Sequence, residues 1–343
     1  MNKVGFVDCS SAEKSFFKKA LEGYELYFYN SEKDNYKQFD QTIEVLSVFV
    51  DYEVTKDIID HLPKLKLINC RSTGFNNIDV DYAKSKGIMV ANAPGYGATS
   101  VAEYVFGMIL ILSRKLGVVF HETFEDEVDR VAERGWDLSS RTIGIVGLGA
   151  IGRGVAKIAH GFGMNILAYE PYNKDAEFAI QHGVEFVNDL SYLCRESDIV
   201  TLHVPYTGDN HHLLNTKLLE QMKSTALVIN TSRGELLNTL QLARMLHEGK
   251  LAGAGLDVIE NESFLINPNA TIELATSGSE RAVDKLKHAL AILSIKNMPN
   301  VVITNHNAFN TVEALRKIND MTVENIKGAF GEEGGKVYEV QGC

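Results

Sequence analysis

A glycine-rich motif between a strand-like run and a helix-like run constrains the fold of this chain most strongly. Residues 142–152 read TIGIVGLGAIG, in which Gly147, Gly149 and Gly152 have the GxGxxG spacing. Between a strand and a helix, glycines at this spacing permit a tight turn, the close approach of a pyrophosphate and close packing of the helix on the sheet. Free N–H groups at the start of the helix favour an anion. The motif therefore predicts a dinucleotide-binding domain built on a parallel sheet.

Glu170 ends the next strand-like run, NILAYE at 165–170. A carboxylate at this position accepts hydrogen bonds from the ribose hydroxyls of the adenosine and repels a 2′-phosphate. Tyr172 and Asn173 follow, and no Arg accompanies them. We therefore expect the cofactor to be NAD rather than NADP.

Short apolar runs alternate with helix-like segments along the whole chain, which is typical of βαβ units and a parallel sheet. The first series of predicted strands covers 4–8, 45–50, 65–70 and 87–92. The second series covers 142–149, 165–170, 198–204, 226–230, 253–258 and 300–305. With 343 residues the chain is long enough for two cores. The pattern predicts an α/β protein with two doubly wound parallel sheets.

Two helix-like segments define the expected domain boundaries. Residues 98–117 read as one long connecting helix, capped at its start by Thr99 or Ser100, and an amphipathic segment after His306 can return to the first domain. We expect one domain at 1–98 plus 308–343 and an inserted domain at 99–307. The stretch 267–299 is longer than a strand connection requires, and its AVDKLKHALAIL portion predicts a helix.

The charge balance limits the classes of partner. The chain has 45 acidic and 34 basic residues and a formal net charge of −11, which disfavours nucleic acid and anionic membrane surfaces. The N-terminus carries no secretory-signal pattern, and no apolar run reaches membrane-spanning length. The cysteines at 9, 70, 194 and 343 are far apart and form no CxxC pair. We expect a cytoplasmic protein without disulfides and without a metal site.

Further motifs occur in a recognisable order: STGFNNID (72–79), APGYGATSVAEY (93–104), LHVP (202–205), NTSRG (230–234), GLDVIENE (255–262) and TNHNAF (304–309). Together with the glycine motif they make the chain similar, over nearly its whole length, to the D-isomer-specific 2-hydroxyacid dehydrogenases. Tyr96 and the AF pair after His306 most resemble the D-lactate dehydrogenase branch. The resemblance implies a Rossmann NAD-binding domain inserted into a flavodoxin-like substrate domain, and a homodimer.

The reaction implied by the resemblance is reduction of a small 2-keto acid, and it needs three side chains. A cation binds the carboxylate, an acid protonates the carbonyl oxygen, and a carboxylate holds that acid in its protonated form. Arg233 supplies the planar guanidinium. His306 is the acid and base, because imidazole titrates near neutral pH. Glu262 orients the imidazole, and the resemblance places these three residues at the family's catalytic positions.

The resemblance implies further contacts of lower specificity. Asp257 is expected near the nicotinamide ribose, and His203 either lines the nicotinamide pocket or packs beside it. Two residues depart from the family pattern: Asn305 stands where Pro is usual, and Glu170 where Asp is more common. Expected cofactor contacts are Gly147, Gly149, Ala150, Ile151, Gly152, Glu170, His203, Val204, Pro205, Asn210, Thr231, Ser232, Arg233 and Asp257, and expected substrate contacts are Thr73, Gly74, Tyr96 and Arg233.

Alternative functions remain open on the sequence. A dehydrogenase for 3-phosphoglycerate needs an additional cationic pocket, for which Arg71, beside the STG run, is the obvious nearby candidate. Hydroxypyruvate or glycerate is another possible substrate. A non-catalytic, NAD-sensing protein similar to the corepressors of this fold would keep the same three residues, so the motifs alone do not exclude it.

Overall fold

The computed structural model describes residues 1–50, 52–122, 131, 134–260 and 279–340. The chain divides into two compact units. Unit 1 contains Met1–Tyr96 and Asn310–Cys343, and unit 2 contains Gly97–Phe309. Among the described residues, none of the helices is both long enough and apolar enough to cross a bilayer.

Unit 1 is a five-stranded parallel sheet with the order β2-β1-β3-β4-β5. This is the flavodoxin-like order, in which the chain starts near the centre and winds outward in both directions. Apolar side chains of β1, β3 and β4 form its core. The elements are β1 Lys3–Val7, α1 Ser11–Ala20, β2 Glu25–Tyr29, β3 Val45–Val48, α2 Lys56–His61, β4 Leu67–Cys70, α3 Val80–Ser85, β5 Met89–Ala91 and, from the C-terminal segment, α12 Val312–Ala329.

Unit 2 is a seven-stranded parallel sheet with the order β12-β11-β10-β9-β6-β7-β8. The order reverses between β6 and β9, as in dinucleotide-binding folds, where that point marks the ligand crevice. The two parallel sheets confirm the predicted fold class. The elements are α4 Ala98–Ser113, α5 Leu116–Glu122, β6 Thr142–Val146, α6 Ala150–Gly161, β7 Asn165–Tyr169, α7 Ala176–His182, β8 Val184–Val187, α8 Leu190–Glu196, β9 Ile199–Leu202, α9 Thr216–Leu219, β10 Leu227–Asn230, α10 Thr239–His247, β11 Gly253–Leu256, α11 Glu280–Ile295 and β12 Val301–Ile303.

Two strands of the structure are absent from the sequence prediction, β2 and β8. Each lies at the edge of its sheet, and each is only partly buried. An edge strand contacts one neighbour and covers less of the core, so its apolar run is weaker than that of a central strand.

The predicted helix over 98–117 is wrong in its extent, because the structure divides it. Helix α4 ends at Ser113, and Lys115 has a φ of +50° before α5 begins. A residue in the left-handed conformation ends a helix, and this residue is usually glycine. Because the position is occupied by Lys115, nothing in the sequence marked the break. The predicted helix within 267–299 is confirmed by α11, whose Ala291, Ile292 and Ile295 join the core of unit 2.

A buried amide network holds the C-terminal helix of unit 1 against its sheet. Asn325 of α12 is fully buried. Its Nδ2 donates to Asn69 Oδ1 on β4 at 2.7 Å and to the Asn92 carbonyl at 3.0 Å. Its Oδ1 accepts from the backbone N–H of Tyr338 at 2.7 Å. The two chain segments of unit 1 are therefore joined by hydrogen bonds that water does not weaken.

We expect Asn325→Ala to destabilise unit 1 by about 2–4 kcal/mol, because it leaves buried donors and acceptors unpaired. Differential scanning calorimetry measures this as a lower Tm for the transition of unit 1. Asn30→Ala, at an exposed position in the same unit, is the matched control. Equal transitions in the two variants would contradict the role of the network.

Candidate active site

Two predicted catalytic positions and one predicted cofactor position follow three neighbouring strands of unit 2. Strands β10, β11 and β12 pair in parallel, so their carboxyl ends lie at one edge of the sheet. Arg233 follows β10, Asp257 directly follows β11, and His306 follows β12. In open parallel sheets this edge is where ligands bind.

Asp257 holds the segment that carries His306. Its carboxylate is buried and accepts hydrogen bonds from Thr304 Oγ1 at 2.6 Å, Asn307 N at 2.8 Å and Ala308 N at 2.9 Å. The backbone N–H of His306 donates to the Asp257 carbonyl at 2.8 Å. These bonds stabilise a φ of +53° at His306, which is unusual for a side chain larger than glycine. The predicted contact of Asp257 with the cofactor stays a prediction.

Asn230 performs the equivalent task for Arg233, and the sequence analysis did not identify it. Asn230 is fully buried at the end of β10, where its Nδ2 donates to the Arg233 carbonyl at 2.8 Å and its Oδ1 accepts from Ser232 N at 3.1 Å. An Asn that bonds the backbone two or three residues on is a frequent turn former. The detectable signal was a polar residue at the end of an otherwise apolar strand.

Gly234 lets the Arg233 turn lie against the segment that follows β11. A Cβ at Gly234 would overlap the backbone of Ile259 and Glu260. Glu262, the predicted catalytic carboxylate, lies outside the described residues. Glu260, two positions earlier, is described, and its carboxylate contacts His212 and His288.

The glycine turn has the features that a pyrophosphate requires. Gly147 has a φ of +92°, and a Cβ there would press on the His203 carbonyl. A Cβ on Gly152 would overlap the Gly147 carbonyl, so the helix starts close to the strand. Gly149 differs, because a Cβ there would meet no protein atom within 4 Å. Its open side leaves room for a ligand at the start of α6, where Ala150 and Ile151 lie.

Glu170 is fixed beside this turn. Its carboxylate accepts from Leu148 N at 3.0 Å, Tyr172 N at 3.0 Å and Asn173 N at 3.3 Å. Partial burial alone would raise the pKa of Glu170, but these backbone donors outweigh it and lower the pKa. The carboxylate is therefore ionised at neutral pH and suited to accept hydrogen bonds from hydroxyl groups.

Two predicted cofactor residues carry buried polar atoms without a hydrogen-bond partner in the structure: Nδ1 of His203 and Oγ1 of Thr231. The other ring nitrogen of His203 lies 2.9 Å from Thr201 Oγ1. Buried polar atoms of this kind are rare unless a ligand or water satisfies them. Together with the open side of Gly149, they show that the residues present fit a dinucleotide.

The remaining predicted cofactor residues form hydrogen bonds within the same loops. Ser232 Oγ donates to the Val204 carbonyl. Asn210 Nδ2 donates to the Pro205 carbonyl at 2.8 Å. The first bond links the loops after β9 and β10, and the second lies within the loop after β9. The contacts of these residues with a cofactor stay predictions.

The predicted substrate residues other than Arg233 belong to unit 1. Thr73 and Gly74 follow β4, and Thr73 Oγ1 donates to the Ala93 carbonyl at 3.0 Å. The side chain of Tyr96 is largely buried. Arg71 is fully buried, and its guanidinium donates to the Val7, Asp8 and Ser47 carbonyls at 2.7–3.1 Å. It is therefore part of the core of unit 1, unable to reach a phosphate outside it.

Comparisons with known proteins agree with this geometry. The protein-family model described as D-isomer specific 2-hydroxyacid dehydrogenase, NAD binding domain, matches residues 106–308 of this chain. This match confirms the predicted NAD-binding domain. The D-lactate dehydrogenase of Escherichia coli K12 is 34% identical over 285 residues, 82% of each chain. The D-3-phosphoglycerate dehydrogenase of Methanocaldococcus jannaschii is 36% identical over 83% of this chain and 49% of that protein. The structure of D-lactate dehydrogenase from Aquifex aeolicus, complexed with NAD and lactic acid, has a TM-score of 0.81, 33% identity and 99% coverage of both chains.

We expect Gly149→Ala and Gly152→Ala both to weaken NADH binding, but for different reasons. Gly149→Ala should fold normally but bind NADH at least about tenfold more weakly, because its methyl group enters the space left for the pyrophosphate. Gly152→Ala should also lose about 1–3 kcal/mol of stability through the overlap with Gly147. Calorimetric titration and thermal unfolding measure the two effects. Gly161→Ala, at the far end of the same helix with open space around it, should change neither quantity.

A second prediction concerns the pH dependence of stability. Burial of the imidazole lowers the pKa of His203 to about 3. Between about pH 6.5 and 3, His203 therefore binds a proton in the unfolded chain but not in the folded chain. The free energy of unfolding decreases as the pH falls through this window, by at most about 1.4 kcal/mol per pH unit. Thermal unfolding from pH 7 to 4 should show a shallower loss for His203→Gln than for wild type. His247→Gln, at an exposed position, should follow wild type, and equal slopes for all three proteins would contradict the assignment.

Proposed function

Since this chain belongs to the D-isomer-specific 2-hydroxyacid dehydrogenase family and is therefore an NAD-dependent oxidoreductase, we propose that it reduces a small, unphosphorylated 2-keto acid such as pyruvate to the D-2-hydroxy acid. The observation that carries the proposal is the placement of Arg233 and His306 after strands on either side of β11, each held by a buried polar residue. A guanidinium and an imidazole at one sheet edge supply the two functions that a 2-keto acid requires.

Arg233 binds the substrate carboxylate in this proposal. Its guanidinium is partly exposed and donates to the Ser232 carbonyl at 2.7 Å. Within the described part of the chain, it has no ion pair with any carboxylate. A guanidinium that is not neutralised by the protein can form a bidentate pair with a ligand carboxylate.

His306 gives its proton to the carbonyl oxygen as C2 is reduced, and it removes that proton in the reverse direction. Bound NADH supplies the hydride that C2 receives. The carboxylate of Glu262 is proposed to accept a hydrogen bond from the imidazole and to stabilise its protonated form. The ties from Asp257 keep the backbone of His306 fixed, so little reorganisation is needed when the substrate binds.

The surroundings of Arg71 support a substrate without a phosphate group. A phosphorylated acid would need a further cation, and the nearby candidate is fully buried and bonded to backbone carbonyls. The similarity to D-lactate dehydrogenases over most of both chains favours a substrate without phosphate. Hydroxypyruvate is the second candidate, because it has the same carboxylate and keto groups. We also propose a cytoplasmic homodimer, as the resemblance implies.

We expect His306→Gln to lower kcat by about 10²–10⁴-fold, because the carbonyl oxygen loses its proton donor. His160→Gln, an exposed imidazole elsewhere in unit 2, should leave kcat unchanged. Arg233→Lys should lower kcat/KM by about 10- to 100-fold through the lost bidentate pair. Arg244→Lys on the exposed face of α10 is its control.

Wild type, the two variants and their two controls are assayed by NADH oxidation with pyruvate, phenylpyruvate, hydroxypyruvate and 3-phosphohydroxypyruvate. The proposal requires turnover with at least one of the first three at a higher kcat/KM than with the phosphorylated acid. A preference for the phosphorylated acid would overturn the substrate assignment. Absence of turnover with all four acids would overturn the proposed function itself.

A further inference from the structure

A cluster of three histidines and one carboxylate lies in unit 2, and the proposed reaction does not use it. Glu260 follows β11, His211 and His212 follow β9, and His288 lies on α11. Oε2 of Glu260 is 3.0 Å from His212 Nε2 and 2.8 Å from His288 Nδ1. The ring of His212 stacks on those of His211 and His288, with centroids 3.9 and 5.4 Å apart.

The carboxylate of Glu260 is largely buried beside two imidazoles. Its side chain is only 10% exposed, and its ion-pair partners among the described residues are the two imidazoles. Both of these partners are imidazoles, and imidazoles and carboxylates together bind divalent transition-metal ions.

His288 contacts the same carboxylate from the buried side of the cluster. Its side chain is 6% exposed. Its Nδ1 lies 2.8 Å from Glu260 Oε2 and can orient that carboxylate.

The donor set has the chemistry of a zinc site. Ligand atoms of His211, His212 and Glu260 all lie within 4.8 Å of one another. Imidazole nitrogen and carboxylate oxygen bind zinc at about 2.0–2.2 Å, so three such donors can reach one ion after small side-chain shifts. Two histidines and one glutamate form a known zinc-ligand combination, and water can complete the coordination. Tyr206 Oη lies 3.3 Å from His211 Nδ1 and can orient that ring, as outer partners of metal ligands do.

We propose that His211, His212 and Glu260 bind a divalent transition-metal ion of the zinc type, and that His288 orients the Glu260 carboxylate from the buried side. The ion would connect the loop after β9 to the segment after β11, and His288 would join helix α11 to that segment through Glu260. Because Glu260 stands two positions before Glu262, the ion would anchor the backbone that leads to the predicted catalytic carboxylate. Its role is structural, and the hydride transfer does not pass through it.

The sequence predicted no metal site, because its local spacing shows no ligand pattern. The two adjacent histidines have no third ligand nearby, and Glu260 is 48 positions from His212. The parallel order of β9, β10 and β11 brings the segments after them to the same sheet edge. The cluster is therefore a product of the fold.

The test uses the full-length protein without a histidine tag. After treatment with a chelator, the protein is dialysed against ZnCl₂ and then against buffer without zinc. The number of zinc ions bound per chain is measured by inductively coupled plasma mass spectrometry. We expect one zinc ion per chain. Replacement by Co²⁺ should give the intense visible bands of a low-symmetry site with nitrogen and oxygen ligands. Wild-type protein that retains no stoichiometric zinc would overturn the proposal.

Variants then locate the ion. His211→Ala, at an exposed ligand that folding does not require, and His212→Ala should each lower zinc affinity at least about tenfold, and their combination should abolish binding. His288→Ala should weaken the affinity while the cobalt spectrum keeps its form, because His288 is not a ligand. His247→Ala, on an exposed histidine of α10, should bind zinc as wild type does. Stoichiometric zinc that persists in the double variant would place the ion elsewhere and overturn the assignment, whatever the outcome of the keto-acid assays.

Discussion

The parallel pairing of the strands in unit 2 is the constraint on which the candidate site depends. Since neighbouring strands run in one direction, the chain leaves each of them at the same edge of the sheet. Gly147, His203, Arg233, Asp257 and His306 therefore meet at this edge although the chain separates them widely. Pairing of the backbone therefore assembles the candidate site.

Buried polar residues then convert proximity into fixed geometry. Asn230 and Asp257 are at most 1% exposed. The side chain of Asn230 bonds to the backbone of Arg233, and the side chain of Asp257 bonds to the backbone of Asn307, next to His306. Burying a carboxylate is unfavourable unless hydrogen bonds compensate it, and the bonds that compensate Asp257 also hold His306 in its left-handed conformation. The same bonds fix the backbone that carries the imidazole of His306.

The sequence predicted those parts of the fold whose cause is local. The glycine turn follows from GxGxxG and the central strands from continuous apolar runs, because those signals lie within a few residues. The edge strands β2 and β8 were missed since half-buried strands carry a weaker pattern, and the break at Lys115 was missed since nothing at that position favours a left-handed residue. Asn230 was missed because its hydrogen bonds to the backbone of Ser232 and Arg233 form only in the folded turn after β10.

The two glutamates of the ENE run show how spatial context separates residues that look alike in sequence. Taken alone, Glu260 and Glu262 are equally good partners for a catalytic imidazole, and the family resemblance alone favoured Glu262. In the structure Glu260 is oriented toward His212 and His288, and it lies on a backbone that packs against Gly234. Both contacts are made by Oε2 of Glu260, so this carboxylate lies beside these two rings. Contacts of this kind distinguish two carboxylates that the sequence alone does not, and the role of Glu262 at His306 stays a prediction from the resemblance.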